Sequence, residues 1–406
     1  MTAPVAPATD GPQVGQPSMS HRMIVLCATM FAVLPLATDI VLVALPDIAT
    51  EHGRGAAGGH QVMSAFVFGL AFAHLFIGGL SDRYGRKPVA IAGFALFALA
   101  SLGAAVSTSF EMLVAMRLLQ GLAGATGPVV VRSIVRDLAS KGGSQRPMAA
   151  IATISGIAPL LAPIVGAALT DVLGWRSTLA FLSIYGAATT LVLILMLSES
   201  LPRPARAARL RMLSFGVVKA MLCDRPFLLG ALVLAVGYGG LFTWLTAAGF
   251  IVTSELGGTR TDLAVLYTLG SIGFILGGGV AIRLPERWNK IRTGAGVALA
   301  GPALCVGVAF GQPASFWWLA PIALYYSGWA ILQPLAISTA MRNHAENAGQ
   351  ASAVLGAIQL AGGLLMSSAA IALGGGLIVL ALIAAALVAL LVVLDRCRDG
   401  EAFSLV

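Results

Sequence analysis

The feature that most constrains this chain is a recurring apolar stretch of about 20 residues, the length that an α-helix needs to cross a bilayer. A helix satisfies its backbone hydrogen bonds within one segment, so it is one of the few structures that can span lipid. Twelve such stretches occur, at residues 23–46, 61–80, 88–107, 111–134, 148–171, 176–198, 226–253, 262–283, 293–311, 315–341, 350–373 and 375–394. The sequence therefore predicts an all-α membrane protein with twelve transmembrane helices.

The composition excludes a water-soluble protein of this length. Charged residues make up only 10% of the chain, against about 25% in an average soluble domain. Gly is abundant, at 48 residues, which suits helices that pack closely in lipid. The four cysteines have no CxxC or metal-ligand spacing, and no GxxxxGK[ST] phosphate-binding loop occurs. We therefore expect no cofactor and no metal site.

The longest polar interruption divides the predicted helices into six and six. The first 22 residues are rich in Pro, Ala, Thr and Gly, a composition typical of disorder. The predicted order is a disordered cytoplasmic N-terminus at 1–22, a six-helix bundle at 23–198, a cytoplasmic linker at 199–225, a second six-helix bundle at 226–394 and a cytoplasmic tail at 395–406.

The distribution of positive charge predicts the orientation. With the N-terminus inside, 21 of the 25 Lys and Arg residues fall on the cytoplasmic side, three fall on the outer side, and Arg117 lies within a span. By the positive-inside rule we expect both termini in the cytoplasm and the chain in a bacterial cytoplasmic membrane. The net charge of +8 is then explained by topology and contact with the lipid bilayer, so we expect no nucleic acid partner.

Asp39 and Arg117 are the acid and the base that remain within predicted spans. Each costs about 2.5 to 3.5 kcal/mol at a helix centre, so such residues are usually paired or functional. A rise of 1.5 Å per residue along oppositely directed helices places both about 10 Å below the outer surface. At matched depth the two side chains can meet or share a water-filled cavity.

Two roles for these residues are open. They form an ion pair that only fixes helix packing, or Asp39 takes up and releases a proton as its surroundings change. Burial favours the protonated carboxyl and a nearby guanidinium favours the carboxylate, so Asp39 is then the proton carrier and Arg117 its modulator. His74, in the second predicted span, admits a proton relay or a packing role, and we favour packing.

A family resemblance rests first on the loop after the second span. Its sequence is Gly78-Gly79-Leu80-Ser81-Asp82-Arg83-Tyr84-Gly85-Arg86-Lys87-Pro88. This loop resembles the signature between helices 2 and 3 of the major facilitator superfamily, and the resemblance implies the major facilitator fold of two six-helix bundles. It also implies a conformational latch made of Gly78, Asp82, Arg83, Gly85 and Arg86. The alternative is that these charges only mark the cytoplasmic side.

Further segments resemble the drug:proton antiporter branch of this family, and within it the Bcr/CflA type. These segments are Thr38-Asp39 with Leu45-Pro46, the run from Arg117 to Gly121, the run from Pro159 to Ala167, and Gln350-Ala351-Ser352-Ala353 with Gly356 and Gln359. The resemblance implies an antiporter motif at Pro159, Pro163 and Gly166 and ties Arg117 to proton coupling. Ala162 and Ala167 replace two usual glycines, and Val41 and Val43 beside Asp39 also depart from the pattern.

Transporters of this build hold their substrate near the midplane, between the two halves. Aromatic side chains supply adaptable apolar contact there, and amides supply a few hydrogen bonds. The candidate substrate-binding residues are Asp39, Phe68, Phe72, Gln120, Tyr185, Tyr238, Trp244, Tyr267, Tyr325, Tyr326, Trp329, Gln333 and Gln359.

The resemblance implies a monomer that exports small amphipathic or neutral drugs in exchange for protons, by alternating access. The nearest alternative is a dedicated transporter, exporter or importer, of one metabolite such as a siderophore or a self-made antibiotic. A membrane enzyme or a channel is a different class, but no nucleophile and base stand at a spacing that suggests an enzyme.

Overall fold

The computed structural model describes residues 19–138, 145–201, 215–284, 290–311, 316–344, 348–374 and 376–396. Most of the predicted N-terminal disorder, the middle of the predicted linker and most of the predicted tail lie outside the described residues. Within these ranges every regular element is a helix and none is a strand, as the sequence predicts.

The first half contains nine helices in the described ranges. They are α1 His21–Leu42, α2 Leu45–Glu51, α3 Gly55–Tyr84, α4 Arg86–Ala105, α5 Phe110–Gly124, α6 Thr126–Leu138, α7 Gln145–Ser155, α8 Ile157–Leu173 and α9 Arg176–Met196. The predicted fourth span is thus two helices that meet at Ala125, and the predicted fifth is two helices that meet at Gly156.

The second half contains seven α-helices in its described part. They are α10 Phe215–Cys223, α11 Arg225–Phe250, α12 Arg260–Arg283, α13 Lys290–Ala309, α14 Ile322–Met341, α15 Ala348–Ala372 and α16 Leu377–Arg396. A π-helical turn, Ile251–Glu255, extends α11, and a short 3-10 helix, Phe316–Leu319, precedes α14.

Ten helical segments within the described ranges are long and apolar enough to cross a membrane. Two predicted spans, 315–341 and 375–394, are not among the ten. The first corresponds to α14, which carries Gln333 and Pro334, and the apolar part of α16 is the shorter segment Ile378–Val392. A multi-pass membrane protein is therefore confirmed, whereas the count of twelve spans stays a prediction.

The two halves pack internally in similar ways and meet mainly through two helix pairs. In the first half α3 packs against α5, and α4 packs against α9; in the second half α11 packs against α15, and α14 packs against α12 and α13. Between the halves, α3 packs against α15 and α8 packs against α12, and α11 makes smaller contacts with α1, α2 and α3. The helix that carries Asp39, α1, therefore takes part in the contact between the halves.

Glycines bring the backbones of α3 and α5 into contact. A methyl group added to Gly121 would collide with the carbonyl oxygen of Phe66, and one added to Gly69 would collide with that of Leu118. Small residues allow this approach in lipid, where packing has to hold helices together. Gly121 lies one helical turn after Arg117, so this contact also fixes the depth of that side chain.

Gly121→Ala is expected to destabilise the protein by about 1–3 kcal/mol, the usual cost of overpacking, because a backbone oxygen cannot rotate out of the way. Gly79→Ala is the matched control on α3, since nothing lies within 4 Å of the added methyl. Thermal unfolding of the two purified variants in detergent measures the difference. Equal melting temperatures would contradict the backbone contact.

Candidate functional site

Asp39 lies on α1, four residues after a proline within the helix, Pro35. Its side chain is half-buried. Thr38 Oγ1 donates a hydrogen bond of 2.8 Å to Asp39 Oδ1, and the same hydroxyl lies 3.1 Å from the carbonyl oxygens of Leu34 and Pro35. Because a hydroxyl has one hydrogen, the bond to Asp39 competes with a bond back to the helix.

Asp39 lies close to the second half of the chain. Its carboxyl is within electrostatic range of the phenol groups of Tyr238 on α11, Tyr267 on α12 and Tyr326 on α14. Three helices of the second half therefore each place a phenol near one carboxyl of the first. A change of charge at Asp39 would therefore alter the contacts between the halves. By this route, binding of a proton can shift the equilibrium between two arrangements of the halves.

Arg117 is fully buried on α5. Its Nη1 donates to the carbonyl oxygen of Ala37 over 3.3 Å and to Gln120 Oε1, and its Nη2 lies 3.3 Å from Met63 Sδ. The guanidinium carbon lies 4.5 Å from the centre of the Phe66 ring, a cation–π contact. The cation is thus held by a carbonyl, an amide, a sulfur atom and an aromatic ring.

No ion pair joins Asp39 to Arg117 in the part of the chain that the structure describes. Arg117 reaches α1 at Ala37, two residues before Asp39, and two residues correspond to about 200° around a helix. The guanidinium therefore contacts the backbone of α1 near Asp39 but not the Asp39 carboxyl. Of the two arrangements that matched depth allows, a direct meeting of the side chains is not seen between these described residues, because matched depth fixes position along a helix but not around it; a shared cavity stays a prediction.

Gln120 is engaged within the first half. Its Oε1 accepts from Arg117 and its Nε2 donates to Ser101 Oγ over 2.6 Å. Ser101 Oγ in turn donates to the carbonyl oxygen of Phe97 over 2.6 Å. Gln120 is fully buried, so in this conformation it holds Arg117 in place, although the sequence suggested it as a substrate contact.

The predicted antiporter motif on α8 contacts both halves. A methyl group on Gly166 would collide with the carbonyl oxygen of Ile40, the residue after Asp39. On the other side, Ser271 Oγ on α12 donates to the carbonyl oxygen of Pro159 over 3.2 Å, and Pro163 is buried within α8. The motif therefore lies between the helix that carries Asp39 and the second half.

The candidate aromatic residues of the second half lie in its interior. Tyr267 Oη donates to the carbonyl oxygen of Leu245 over 2.8 Å, and Tyr325 Oη donates to that of Gly237. The Trp329 ring packs directly on Gly237 as well. The Tyr325 and Trp329 rings therefore pack on the backbone of α11 within the second half, whereas Tyr267 also lies near Asp39.

Three further aromatic candidates, on α11 and α14, differ in how their polar atoms are used. Tyr238 is half-buried and stacks on Phe242, with 6.1 Å between the ring centres. Trp244 and Tyr326 are buried, and within the described ranges neither Trp244 Nε1 nor Tyr326 Oη has a hydrogen-bond partner.

Two candidates on α3 are exposed. Phe68 and Phe72 are 57% and 52% exposed, and they share an exposed stripe of α3 with Phe76. That these two rings line the substrate site stays a prediction. Tyr185 is half-buried, and its Oη donates to the carbonyl oxygen of Thr29.

The remaining polar candidates lie on three helices. Gln333 on α14 and Gln359 on α15 are half-buried. His74 Nδ1 lies 2.8 Å from the carbonyl oxygen of Leu70, a bond within one helix that agrees with the favoured packing role. The described residues bring no three His, Cys, Asp or Glu side chains together as metal ligands.

The predicted latch is a charge network around Arg86. The Arg86 side chain is only 1% exposed; its Nη2 lies 2.6 Å from Asp82 Oδ1 and its Nε lies 2.9 Å from Asp137 Oδ2. Its Nη1 donates to Ser81 Oγ over 2.7 Å. One buried guanidinium therefore ties the end of α3 to the end of α6, and we call this side of the molecule the Arg86 end.

Gly85 makes the turn on which this network depends. Its φ of 105° lies in the region that favours glycine, so the chain can pass from α3 to α4 without a break in packing. Glu199 then accepts from the backbone N–H groups of Arg86, over 2.9 Å, and Lys87, over 3.3 Å. A carboxylate at the first N–H groups of a helix complements the helix dipole.

Arg83 and Gly78 lie outside this network. The exposed Arg83 side chain has its guanidinium carbon 5.2 Å from the centre of the Tyr84 ring. A methyl group on Gly78 would lie 4.0 Å from Val129, an ordinary contact. Asp137 and Glu199, by contrast, were not found from the sequence, because acids at the ends of predicted spans are common and nothing local distinguishes these two.

The described polar contacts between the halves lie from the middle of the helices to the end opposite Arg86. Arg260 contacts Asp47, and its Nη1 lies 2.5 Å from Asp171 Oδ1. His60 Nε2 lies 3.2 Å from Ser368 Oγ. We call this the Arg260 end; it is the closed end in this conformation.

Comparison with known families agrees with this architecture. The family model described as Major Facilitator Superfamily matches residues 27–367. This chain belongs to the Major Facilitator Superfamily. It is therefore a membrane transporter and not an enzyme, and the family suggested by the sequence motifs is confirmed.

Among curated proteins, Multidrug resistance protein D of Escherichia coli (strain K12) is 29% identical over 349 residues, which cover 86% of this chain and 88% of that protein. Multidrug resistance protein MdtL of Escherichia coli O81 (strain ED1a) is 28% identical over 355 residues, which cover 85% and 87%. The likeness to these members of the superfamily therefore runs through most of each chain.

A solved structure supports the major facilitator fold. It is a bacterial homologue of the human lysosomal transporter Spinster in an inward-facing and unoccupied conformation, with a TM-score of 0.68, 13% identity and coverage of 94% of this chain and 97% of that chain. At this identity the likeness is one of fold.

Proposed function

We propose that this protein exports small amphipathic or neutral drugs from a bacterial cell in exchange for protons. Asp39 carries the proton, and Arg117 modulates the proton affinity of Asp39. The observation that carries the proposal is that Asp39, on a helix of the first half, lies within electrostatic range of Tyr238, Tyr267 and Tyr326 of the second half. The two relatives named as multidrug resistance proteins support a drug as the cargo.

The proposed orientation has both termini and the Arg86 end in the cytoplasm, following the positive-inside rule. The closed Arg260 end then faces outward, and access to the site is from the cytoplasm. Drug enters from that side, Asp39 releases its proton there, and the halves rock to expose the site to the outside. Uptake of an outside proton by Asp39 resets the cycle.

Arg117 acts on Asp39 through α1. Its bond to the carbonyl oxygen of Ala37 connects α5 to the backbone two residues from the carboxyl, so a shift of α1 changes how the guanidinium and the carboxyl are placed relative to each other. The latch around Arg86 joins helix ends within the first half, and it stabilises one of the two conformations by fixing how these ends are arranged.

A proton gradient is a sufficient energy source for this task. One proton that moves down a membrane potential of 100 mV supplies about 2.3 kcal/mol, which corresponds to a substrate gradient of about fiftyfold, since about 1.4 kcal/mol is tenfold.

The test is transport by the purified protein in lipid vesicles with an imposed pH gradient. We expect a lipophilic drug to accumulate against its own gradient only when the pH gradient is present, and to stop when an ionophore collapses it. Equal uptake with and without the gradient would contradict proton exchange.

A transporter dedicated to one metabolite is the alternative. Cells with and without the gene separate the two functions: altered sensitivity to several unrelated drugs supports drug export, whereas unchanged sensitivity with a shift in a single metabolite supports the alternative.

A further inference from the structure

Tyr325 and Tyr326 are consecutive on α14 but use their hydroxyl groups differently. Tyr325 is fully buried, and its Oη donates to the carbonyl oxygen of Gly237 on α11. Tyr326 is 7% exposed, and its Oη has no partner within the described part of the chain. The two rings stand edge to face at 86°, with 6.5 Å between their centres, so they point to different neighbours.

The position of Tyr326 is fixed by the backbone of a neighbouring helix. A methyl group on Gly270 of α12 would lie 2.8 Å from Tyr326 Cζ, so the ring lies flat against α12 and has little freedom to turn its hydroxyl elsewhere. The phenol interacts electrostatically with Asp39, Tyr267 and Tyr325. Tyr326 therefore holds a buried hydroxyl without a partner near Asp39, the acid proposed as the proton carrier.

The neighbouring phenols have no hydrogen left to donate to Tyr326. Tyr267 donates its hydrogen to the carbonyl oxygen of Leu245, and Tyr325 donates its own to Gly237. Their oxygens could still accept from Tyr326, but in this conformation neither does. A buried donor without a partner is costly, because it has lost its bonds to water without replacement. A site that leaves one polar group unpaired discriminates strongly against ligands that cannot bond to it.

We propose that Tyr326 is a specificity-determining residue whose hydroxyl donates a hydrogen bond to an uncharged acceptor oxygen, such as a ketone, amide or ester carbonyl, of the substrate bound beside Asp39. This inference rests on the proposed transport function and deepens it. It identifies the preferred cargo as aromatic or apolar compounds that bear a carbonyl group.

The test is a binding comparison between two probes that differ by one carbonyl group, (4-oxo-4-phenylbutyl)triphenylphosphonium and (4-phenylbutyl)triphenylphosphonium. Their dissociation constants are measured by calorimetry with the purified protein in detergent, without a pH gradient. The variants are Tyr326→Phe and, as the matched control, Tyr325→Phe, which removes a neighbouring hydroxyl that already has a backbone partner. Thermal unfolding checks that each variant is folded.

We expect the wild-type protein to bind the carbonyl probe more tightly than the methylene probe. Tyr326→Phe is expected to weaken binding of the carbonyl probe about fivefold, within the range of a neutral hydrogen bond, and to leave the methylene probe unchanged or bound more tightly. Tyr325→Phe should preserve the wild-type preference.

Three results would overturn the proposal: a wild-type protein without preference for the carbonyl probe, equal effects of Tyr326→Phe on both probes, or the same selective loss in Tyr325→Phe. Equal effects would mean that the hydroxyl acts on Asp39 or on packing. The binding assay is separate from the vesicle assay. If the protein prefers the carbonyl probe but shows no gradient-driven transport, only the proposed function is contradicted. If it shows gradient-driven transport but no preference for the carbonyl probe, only this inference is contradicted.

Discussion

Asp39→Asn is expected to abolish transport driven by a pH gradient while leaving exchange of substrate between the two sides of the vesicle. The amide has nearly the same shape as the carboxyl and can still accept from Thr38 Oγ1, which bonds to Asp39 over 2.8 Å, but it cannot carry a proton. The initial rate of gradient-driven uptake should fall to background, at least about tenfold, whereas counterflow of labelled substrate without a gradient should continue.

Glu111→Gln is the control for Asp39→Asn, because it also converts an acid to an amide. The Glu111 side chain is 72% exposed and pairs with Arg54 of the same half, so gradient-driven uptake should stay close to the wild-type rate. If Asp39→Asn folds and still concentrates substrate in response to the pH gradient, Asp39 is not the proton carrier.

Arg86→Gln is expected to lower the free energy of unfolding by about 3 kcal/mol or more, the usual effect of removing one partner of a buried ion pair. The substitution removes the guanidinium that contacts both Asp82, over 2.6 Å, and Asp137, over 2.9 Å. A glutamine reaches neither carboxylate with a charge. Unfolding in mixed detergent micelles, followed by tryptophan fluorescence, measures the loss.

Arg83→Gln provides the comparison from the same loop. Arg83 is exposed and its described contact is with the Tyr84 ring, so its replacement should change stability by no more than about 0.5 kcal/mol. Similar losses in the two variants would indicate that the loop depends on total positive charge and not on the buried network of Arg86.

Much of the fold could be predicted from the sequence. The length of an apolar stretch predicts a membrane-spanning helix, and the Lys and Arg residues of the loops predict its orientation; both can be read from short segments of the chain. The bilayer requires long apolar helices, and ten of the predicted spans satisfy this requirement in the described ranges. The breaks at Ala125 and Gly156 were not predicted, because they fall inside apolar stretches that hydropathy treats as continuous. They depend on how α6 and α7 pack on α1.

The sequence analysis identified the charged residues of the site but not the side chains and backbone groups that they contact. The cost of charge in lipid singled out Asp39 and Arg117, yet the partners of Arg117 are an amide, a carbonyl, a sulfur atom and a ring, none of which a census of charges can reveal. Phe68 and Phe72 were selected because they are aromatic, whereas their direction around α3 decides their exposure. Direction around a helix is set by tertiary packing.

The cluster at the Arg260 end makes the resting conformation sensitive to the medium on that side of the membrane. The side chains of Arg260, Asp47 and Asp171 are 35%, 29% and 43% exposed, so dissolved ions can reach them. Salt largely screens exposed charges that are more than about 8 Å apart at physiological ionic strength, and more than about 3 Å apart at 1 M salt. Under the proposed orientation, a rise in external salinity weakens the attraction that holds the outer face shut. Habitat would then influence how often the transporter opens outward.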